Sequence, residues 1–131
     1  MCIEFQTKGN SIGEGIAKGI NEAIDIAEKD GWNGIVIGNN EKQFSVGANL
    51  MNMGMMAMQK NFDEIEKFLV GFQKILMRMR TCNVPVVSAT HGFVMGGGLE
   101  VSIHCDAGIH ASEAYIGLVE AGVGLIPGGG G

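Results

Sequence analysis

An α/β fold of parallel strands joined by helical crossovers is what this sequence predicts, and three observations predict it. Two short apolar runs, Gly34-Ile35-Val36-Ile37-Gly38 and Val84 to Ala89, have the length and continuity of strands buried on both faces. Two longer segments, one before each run, repeat apolar residues at steps of three and four, the helical period. Strand, helix and strand in this order call for parallel pairing with crossovers. At 131 residues, 46% hydrophobic and 18% charged, the chain can build one domain around its own core and is too apolar for disorder.

The elements follow in order. Cys2 to Phe5 can form a short first strand. Ser11-Ile12-Gly13-Glu14 fits a capping box, in which the serine accepts a backbone bond and the glutamate reaches back. Ile12, Ile16, Ile20, Ala23, Ile24 and Ala27 then mark a helix running to Lys29, and Gly31 supplies its stop. After the 34–38 strand, Asn39 to Lys42 is a polar loop. Phe44-Ser45-Val46-Gly47-Ala48-Asn49-Leu50 is a turn entering a helix that Asn49 can cap. Met51, Met53, Met55, Met56 and Met58 follow, adaptable side chains suited to an apolar pocket or to ordinary helix core. Asn61 offers another cap. The cleanest amphipathic helix comes next, through Phe62, Ile65, Phe68, Leu69, Phe72, Ile75, Leu76 and Met79. Pro85 near the start of the second strand is tolerable there. The turn Gly96-Gly97-Gly98 opens a short helix from Leu99 to His104, and Asp106 to His110 reads as a further strand. No domain boundary or repeated unit is visible.

Several function classes drop out on composition. The net charge is -5, and Lys and Arg are scattered, which argues against a nucleic-acid surface. Lys74, Arg78 and Arg80 sit in the last turns of a helix, where the helix dipole favours cations. Apolar runs are interrupted before membrane-spanning length, and Met1-Cys2-Ile3-Glu4-Phe5 has no signal-peptide pattern. A soluble, cytoplasmic protein without a membrane partner is the expectation. Cys2, Cys82 and Cys105 show no paired spacing and read as free thiols. His91, His104, Cys105, Asp106 and His110 lack the spacing of a metal pair, so no metal is expected. Gly122-Val123-Gly124 with Gly128 misses the dinucleotide spacing by one residue and has Pro127 inside it.

Two glutamates framed by glycines remain. The chain has 22 glycines, and clusters of them mark turns or close backbone approaches. Glu100 follows Gly96-Gly97-Gly98 among Val94, Met95, Leu99 and Val101; Glu120 sits in Gly117-Leu118-Val119-Glu120-Ala121-Gly122. A carboxyl among apolar groups either finds partners or holds its proton into the range useful for proton transfer. N–H groups at a helix start can stabilise a developing negative charge. Carboxyls beside such donors suit proton abstraction or water addition next to a carbonyl. The plainer readings are a helix-start acid that complements the dipole, and a solvated loop acid. Spacing alone does not choose between them, or bring the two glutamates together.

Three ordered segments carry a family resemblance. Phe44 to Leu50 resembles F-S-A-G-A-D-L. Val84-Pro85-Val86-Val87-Ser88-Ala89 through Gly92 to Glu100 resembles K-P-V-I-A-A-V-x-G-x-A-x-G-G-G-x-E, and Gly117 to Gly130 is similar to F-G-x-P-E-x-x-x-G-x-x-P-G-x-G-G. Asn10-Ser11-Ile12 stands where N-A-L often precedes the first helix. These are the motifs of the crotonase, or enoyl-CoA hydratase/isomerase, superfamily. The resemblance implies a crotonase-like fold of repeated ββα units, incomplete at the C-terminus, since the sequence stops within Gly128 to Gly131. It implies an acyl-CoA thioester as substrate, with coenzyme A as part of it and no separate cofactor. Ala48 and Gly97 become the N–H donors of an oxyanion hole, and Glu100 and Glu120 the catalytic pair for water activation and α-proton exchange. Ser45, Val46, Gly47, Gly96 and Gly98 become substrate-binding positions, the first three through backbone contacts to the CoA end. Hydration of a 2-enoyl-CoA in β-oxidation is the expected activity. The alternatives are Δ3-Δ2 isomerisation and a non-catalytic acyl-CoA-binding module of a larger protein. A homotrimer or larger assembly of the intact protein is also implied. Asn49 for the usual Asp and Val119 for the usual Pro are departures. The wording from Ala114 to Glu120 resembles the crotonase module of bacterial 3-hydroxyacyl-CoA dehydrogenases.

Overall fold

The computed structural model describes residues 1–131. Four strands, β1 (Cys2–Ile3), β2 (Ile35–Ile37), β3 (Val86–Thr90) and β5 (Ala107–His110), form one sheet in the order β1-β2-β3-β5, with every pair parallel. Two further strands, β4 (Phe93–Met95) and β6 (Tyr115–Gly117), form a second, parallel ladder. That ladder continues backwards through single bridges, Ser45 to Val94 and Ile12 to Ala48. Each passage of the chain thus sends one strand to the main sheet and a second short segment to this ladder. The consequence for the site is direct: the 45–48 loop and the end of β4 become neighbours.

Helix α1 (Glu14–Lys29) joins β1 to β2, and α2 (Leu50–Met58) and α3 (Phe62–Thr81) join β2 to β3. Helix α4 (Gly97–Ile103) lies between β4 and β5. Ile20, Ile24 and Ala27 of α1 and Phe72, Leu76 and Met79 of α3 close over Ile35, Ile37 and Val86, with Phe44, Val94 and Val101 completing the core. Both long helices cover the same sheet face. Val36 and Ile109 on the other face are therefore 42% and 65% exposed, and β2 is buried on one face where its apolar run predicts two. No helix is long and apolar enough to cross a membrane.

Several boundaries differ from the sequence reading for local reasons. The capping box does not form. Ile12 is fully buried and bridged to Ala48, so the chain stays extended through it and α1 begins at Glu14, with Gly13 as an N-cap lacking a side-chain bond. Ser11 instead closes a one-turn 3-10 helix at Lys8–Asn10, its carbonyl accepting the Thr7 hydroxyl at 2.7 Å. The far end of α1 is as expected: Gly31 takes φ +68°, and Trp32 N–H returns to Ala27 O at 2.9 Å, a Schellman closure. Asn49 caps α2 through Asn52 N–H, whereas Asn61 precedes α3 without a side-chain bond. Arg78 does more than complement the α3 dipole. It reaches across to α1, bonding Asn21 and pairing with Asp25 at 2.5 Å.

The cysteines are free, as their spacing predicts. Burial pushes the Cys105 thiol up to about 12, and its Sγ donates to Val101 O at 3.3 Å. At pH 8 Cys105 is therefore expected to alkylate far more slowly than exposed Cys2, read by mass spectrometry of iodoacetamide-treated protein. The sign for stability follows. A folded pKa above the unfolded 9.0 stabilises fully below that value, and the contribution is lost as pH rises towards about 12. Equal labelling rates for Cys2 and Cys105 would sink the assignment.

Candidate active site

The site is built at the junction of the 45–48 loop, the start of α4, and the short 3-10 helix at Glu120–Val123. Two glycines give the junction its shape. Gly47 has φ +90°, and a Cβ there would lie 2.8 Å from Met95 O; the loop can cross β4 only without a side chain. Gly96, the N-cap of α4, has φ +49°, and a Cβ there would meet Glu120 Oε1 at 2.7 Å. The helix begins at Gly97, two residues before the sequence reading placed it. Gly98, in its first turn, lies so close to the loop that a Cβ there would be 2.7 Å from Ser45 Cβ.

Two backbone donors come together here. A Cβ built on Gly97 lies 3.4 Å from Ala48 N, and one built on Gly47 lies 3.2 Å from Gly97 N. The 45–48 loop and the α4 start therefore present these two amides side by side. Neither N–H has an acceptor in the protein, whereas the neighbours are engaged: Gly96 N–H bonds Gly117 O and Asn49 N–H bonds Ile12 O. Gly97 is the first residue of a helix, where an unpaired N–H is inherent to the geometry. An acceptor oxygen placed between the two amides would take both hydrogen bonds.

The two glutamates approach this junction from different sides. Glu120 lays its carboxyl over Gly96; it accepts no hydrogen bond from the protein, and its Oε2 is buried. Glu100 stands one turn inside α4 and is 2% exposed. Its Oε1 accepts from Gly129 N–H at 2.7 Å and Gly131 N–H at 3.1 Å, and Oε2 has no such partner. Of the two outcomes open to a carboxyl among apolar groups, Glu100 has found partners. Gly96 links the pair: its side of the backbone carries Glu120, and its carbonyl accepts Glu100 N–H at 3.0 Å.

The remaining predicted positions divide into two sets. Val46 is 42% exposed, on the loop surface. Ser45 and Gly98 lie behind it, buried against each other. Ser45 in particular has its N–H on Phe93 O, its carbonyl on Met95 N–H and its hydroxyl on Asn10 O, which leaves no group facing outward. Asn10 is a position whose weight the sequence reading missed. It is 1% exposed with φ +51°, and its Nδ2 donates to Gln43 O at 3.0 Å. A non-glycine residue held at positive φ is a signal only the backbone reveals. Beside this loop a polar cavity of about 700 Å³ is lined by residues 4–10 and 39–43, with Lys8 and Lys42 among them. The three histidines are dispersed: His91 bonds Glu41 O, His104 bonds Glu100 O and His110 bonds Thr90.

Two adjacent free amides flanked by two carboxyls are an arrangement able to polarise a carbonyl and move protons beside it. Comparison with known proteins gives the family. Residues 1–131 match the enoyl-CoA hydratase/isomerase family, and the chain belongs to it. It is 43% identical over 129 residues to a probable 3-hydroxyacyl-CoA dehydrogenase of Bacillus subtilis (strain 168), covering 98% of this chain and 16% of that protein. It is 38% identical over 97 residues to a short-chain-enoyl-CoA hydratase of Clostridium acetobutylicum, covering 74% and 36%. A crystal structure of an enoyl-CoA hydratase from Polaromonas sp. JS666 superposes with a TM-score of 0.93 at 25% identity, over 98% of this chain and 51% of that one. The chain thus spans a sixth to a half of the length of these relatives.

Proposed function

We propose that this chain carries the catalytic groups of an enoyl-CoA hydratase, adding water across the C2–C3 bond of a 2-enoyl-CoA thioester in β-oxidation. The observation that carries the reading is the pair of unengaged N–H groups, Ala48 and Gly97, beside the unpartnered carboxyl of Glu120. The thioester oxygen sits between the two amides, which take up the negative charge that develops when water attacks C3. Glu100, fixed through Oε1 by two glycine amides, offers Oε2 to orient the water and accept its proton. Glu120 delivers the proton to C2, and proton exchange with solvent resets both carboxyls. One water is consumed and no redox step occurs, so no separate cofactor takes part; CoA is the handle of the substrate. Its nucleotide end runs past exposed Val46 towards the polar cavity that Lys8 and Lys42 line.

A second reading has a specific observation behind it. Glu100 is almost fully buried and held by the 129–131 backbone, while Glu120 is free, and Δ3-Δ2 isomerisation needs only one carboxyl to move a proton. Glu100→Gln separates the two. Hydration of crotonyl-CoA, followed as loss of the conjugated enoyl-thioester absorbance, is expected to fall by about 10² or more. Isomerisation of a 3-enoyl-CoA is expected to survive. Hydration at the wild-type rate in Glu100→Gln removes the hydratase reading.

The same proposal places the protein in the cytoplasm, as part of a multifunctional β-oxidation protein assembled as a homotrimer or larger. The likeness to a probable 3-hydroxyacyl-CoA dehydrogenase, of which this chain covers 16%, and to a putative fatty acid oxidation complex trifunctional enzyme supports membership of a larger multifunctional protein. Sedimentation of the whole protein tests the assembly.

A further inference from the structure

Ser45 is fully buried, makes no outward contact, and yet engages every polar group it owns. Its hydroxyl donates to Asn10 O at 2.8 Å and accepts Gly47 N–H at 3.1 Å. Its backbone pairs on both sides with β4, Ser45 N–H to Phe93 O and Met95 N–H to Ser45 O, each at 3.0 Å. One residue therefore ties the segment before α1, its own loop, and the strand that leads into Gly96 and Gly97.

What this does to Ala48 follows from peptide planarity. The carbonyl of Gly47 and the N–H of Ala48 belong to one planar unit and point in opposite directions. Ile12 N–H holds Gly47 O at 2.7 Å, which turns Ala48 N–H away from Ile12. That orientation depends on the dihedrals of Gly47, the residue type whose own sterics restrict them least. The peptide on the other side of Gly47 is pinned only by Ser45 Oγ accepting Gly47 N–H. Remove the hydroxyl and the glycine is held from one side alone, and Asn10 O loses its partner inside the protein.

We infer that the Ser45 hydroxyl is a positioning residue that sets the direction of the Ala48 N–H, and is not a contact to substrate. The inference rests on the proposed reading of Ala48 and Gly97 as carbonyl donors. It also explains why Gly98 is a glycine: the hydroxyl-bearing residue must lie against the first turn of α4.

The test uses Ser45→Ala in the whole protein, with three readouts. These are kcat on crotonyl-CoA, the Kd of a saturated acyl-CoA, and the red shift of a bound conjugated thioester, which reports polarisation of its carbonyl. The expected result is a fall in kcat of about 10-fold, less than full loss of a donor because Ala48 N–H is displaced and not removed. The red shift shrinks and Kd is unchanged. A merely structural serine would lower the unfolding temperature while leaving the shift of the folded protein as it was. Wild-type kcat and wild-type red shift in Ser45→Ala overturn the inference. Should Ser45→Ala fail to fold, Ser45→Cys is read in the same way, because a thiol bonds more weakly at similar bulk. Intermediate kcat and shift support the inference, and wild-type values overturn it. If the unaltered protein neither turns over nor red-shifts the thioester, the reading of the donors fails first and this inference falls with it.

Discussion

Glu120→Gln is expected to reduce hydration of crotonyl-CoA by about 10³-fold while leaving thioester binding intact. The physical case is that this carboxyl has no structural duty. It accepts no hydrogen bond from the protein, and its buried Oε2 is one of two buried side-chain polar atoms left without a partner. A buried polar atom without a partner is costly, and such costs persist mainly where function needs the group. Glutamine has nearly the same shape, so the packing of the carboxyl over Gly96 is kept and only proton transfer is lost. The check is twofold: initial rates of absorbance loss, and Kd for a saturated acyl-CoA by calorimetry. A rate close to that of the unaltered protein would remove Glu120 from the chemistry, and weakened binding with unchanged kcat would recast it as a binding group.

Gly47→Ala carries the second large effect, on both stability and rate. At φ +90° an alanine is strained by about 1–3 kcal/mol before any contact is counted. Its Cβ would also lie 2.8 Å from Met95 O, a backbone atom of β4 with no freedom to rotate aside. The loop must shift, and with it the Ala48 N–H. Urea unfolding is expected to show a loss of about 2 kcal/mol or more. Among molecules that remain folded, kcat is expected to fall by about 10²–10³, the cost of removing one oxyanion donor. Unchanged stability would contradict the backbone geometry described for Gly47. Lost stability with full kcat would show that Ala48 N–H takes no part in the reaction.

These two variants mark different kinds of legibility. Glu120 and Glu100 stood out in the sequence because carboxyls among glycines and apolar residues are anomalous, and anomalies of composition can be read locally. Gly47 was visible only as one letter of a motif. Its necessity comes from Met95, which lies far along the chain and approaches through the bridge between Ser45 and Val94. Ser45 was placed among substrate contacts by the same motif. It is instead enclosed, because the ladder formed by β4 and β6 continues through it.

The fold divides in the same way. Helices α1 and α3 were readable because periodicity over four or more turns leaves one face to be buried, and that face is where the core lies. Strands β2 and β3 were readable as apolar runs of the right length, while β1 and β5 showed only as short extended segments. Strands β4 and β6 are three residues each, too short to show a period, and they went unrecognised. The expected capping box at Ser11 to Glu14 failed for a related reason. Local propensity favoured a helix start there, but the bridge from Ile12 to Ala48 required extended chain.

What the sequence by itself determined is therefore whatever depends on neighbours within a few turns: the long helices, the apolar strands, the free cysteines, and the identity of the two acids. What only the tertiary structure decided is whatever depends on backbone brought together from distant positions. It set the amides of Ala48 and Gly97 side by side, laid Glu120 over Gly96, and gave Glu100 its partners at Gly129 and Gly131. Backbone N–H groups carry no residue identity, so a site made of them leaves no letter in the sequence beyond the glycines that let the chains approach.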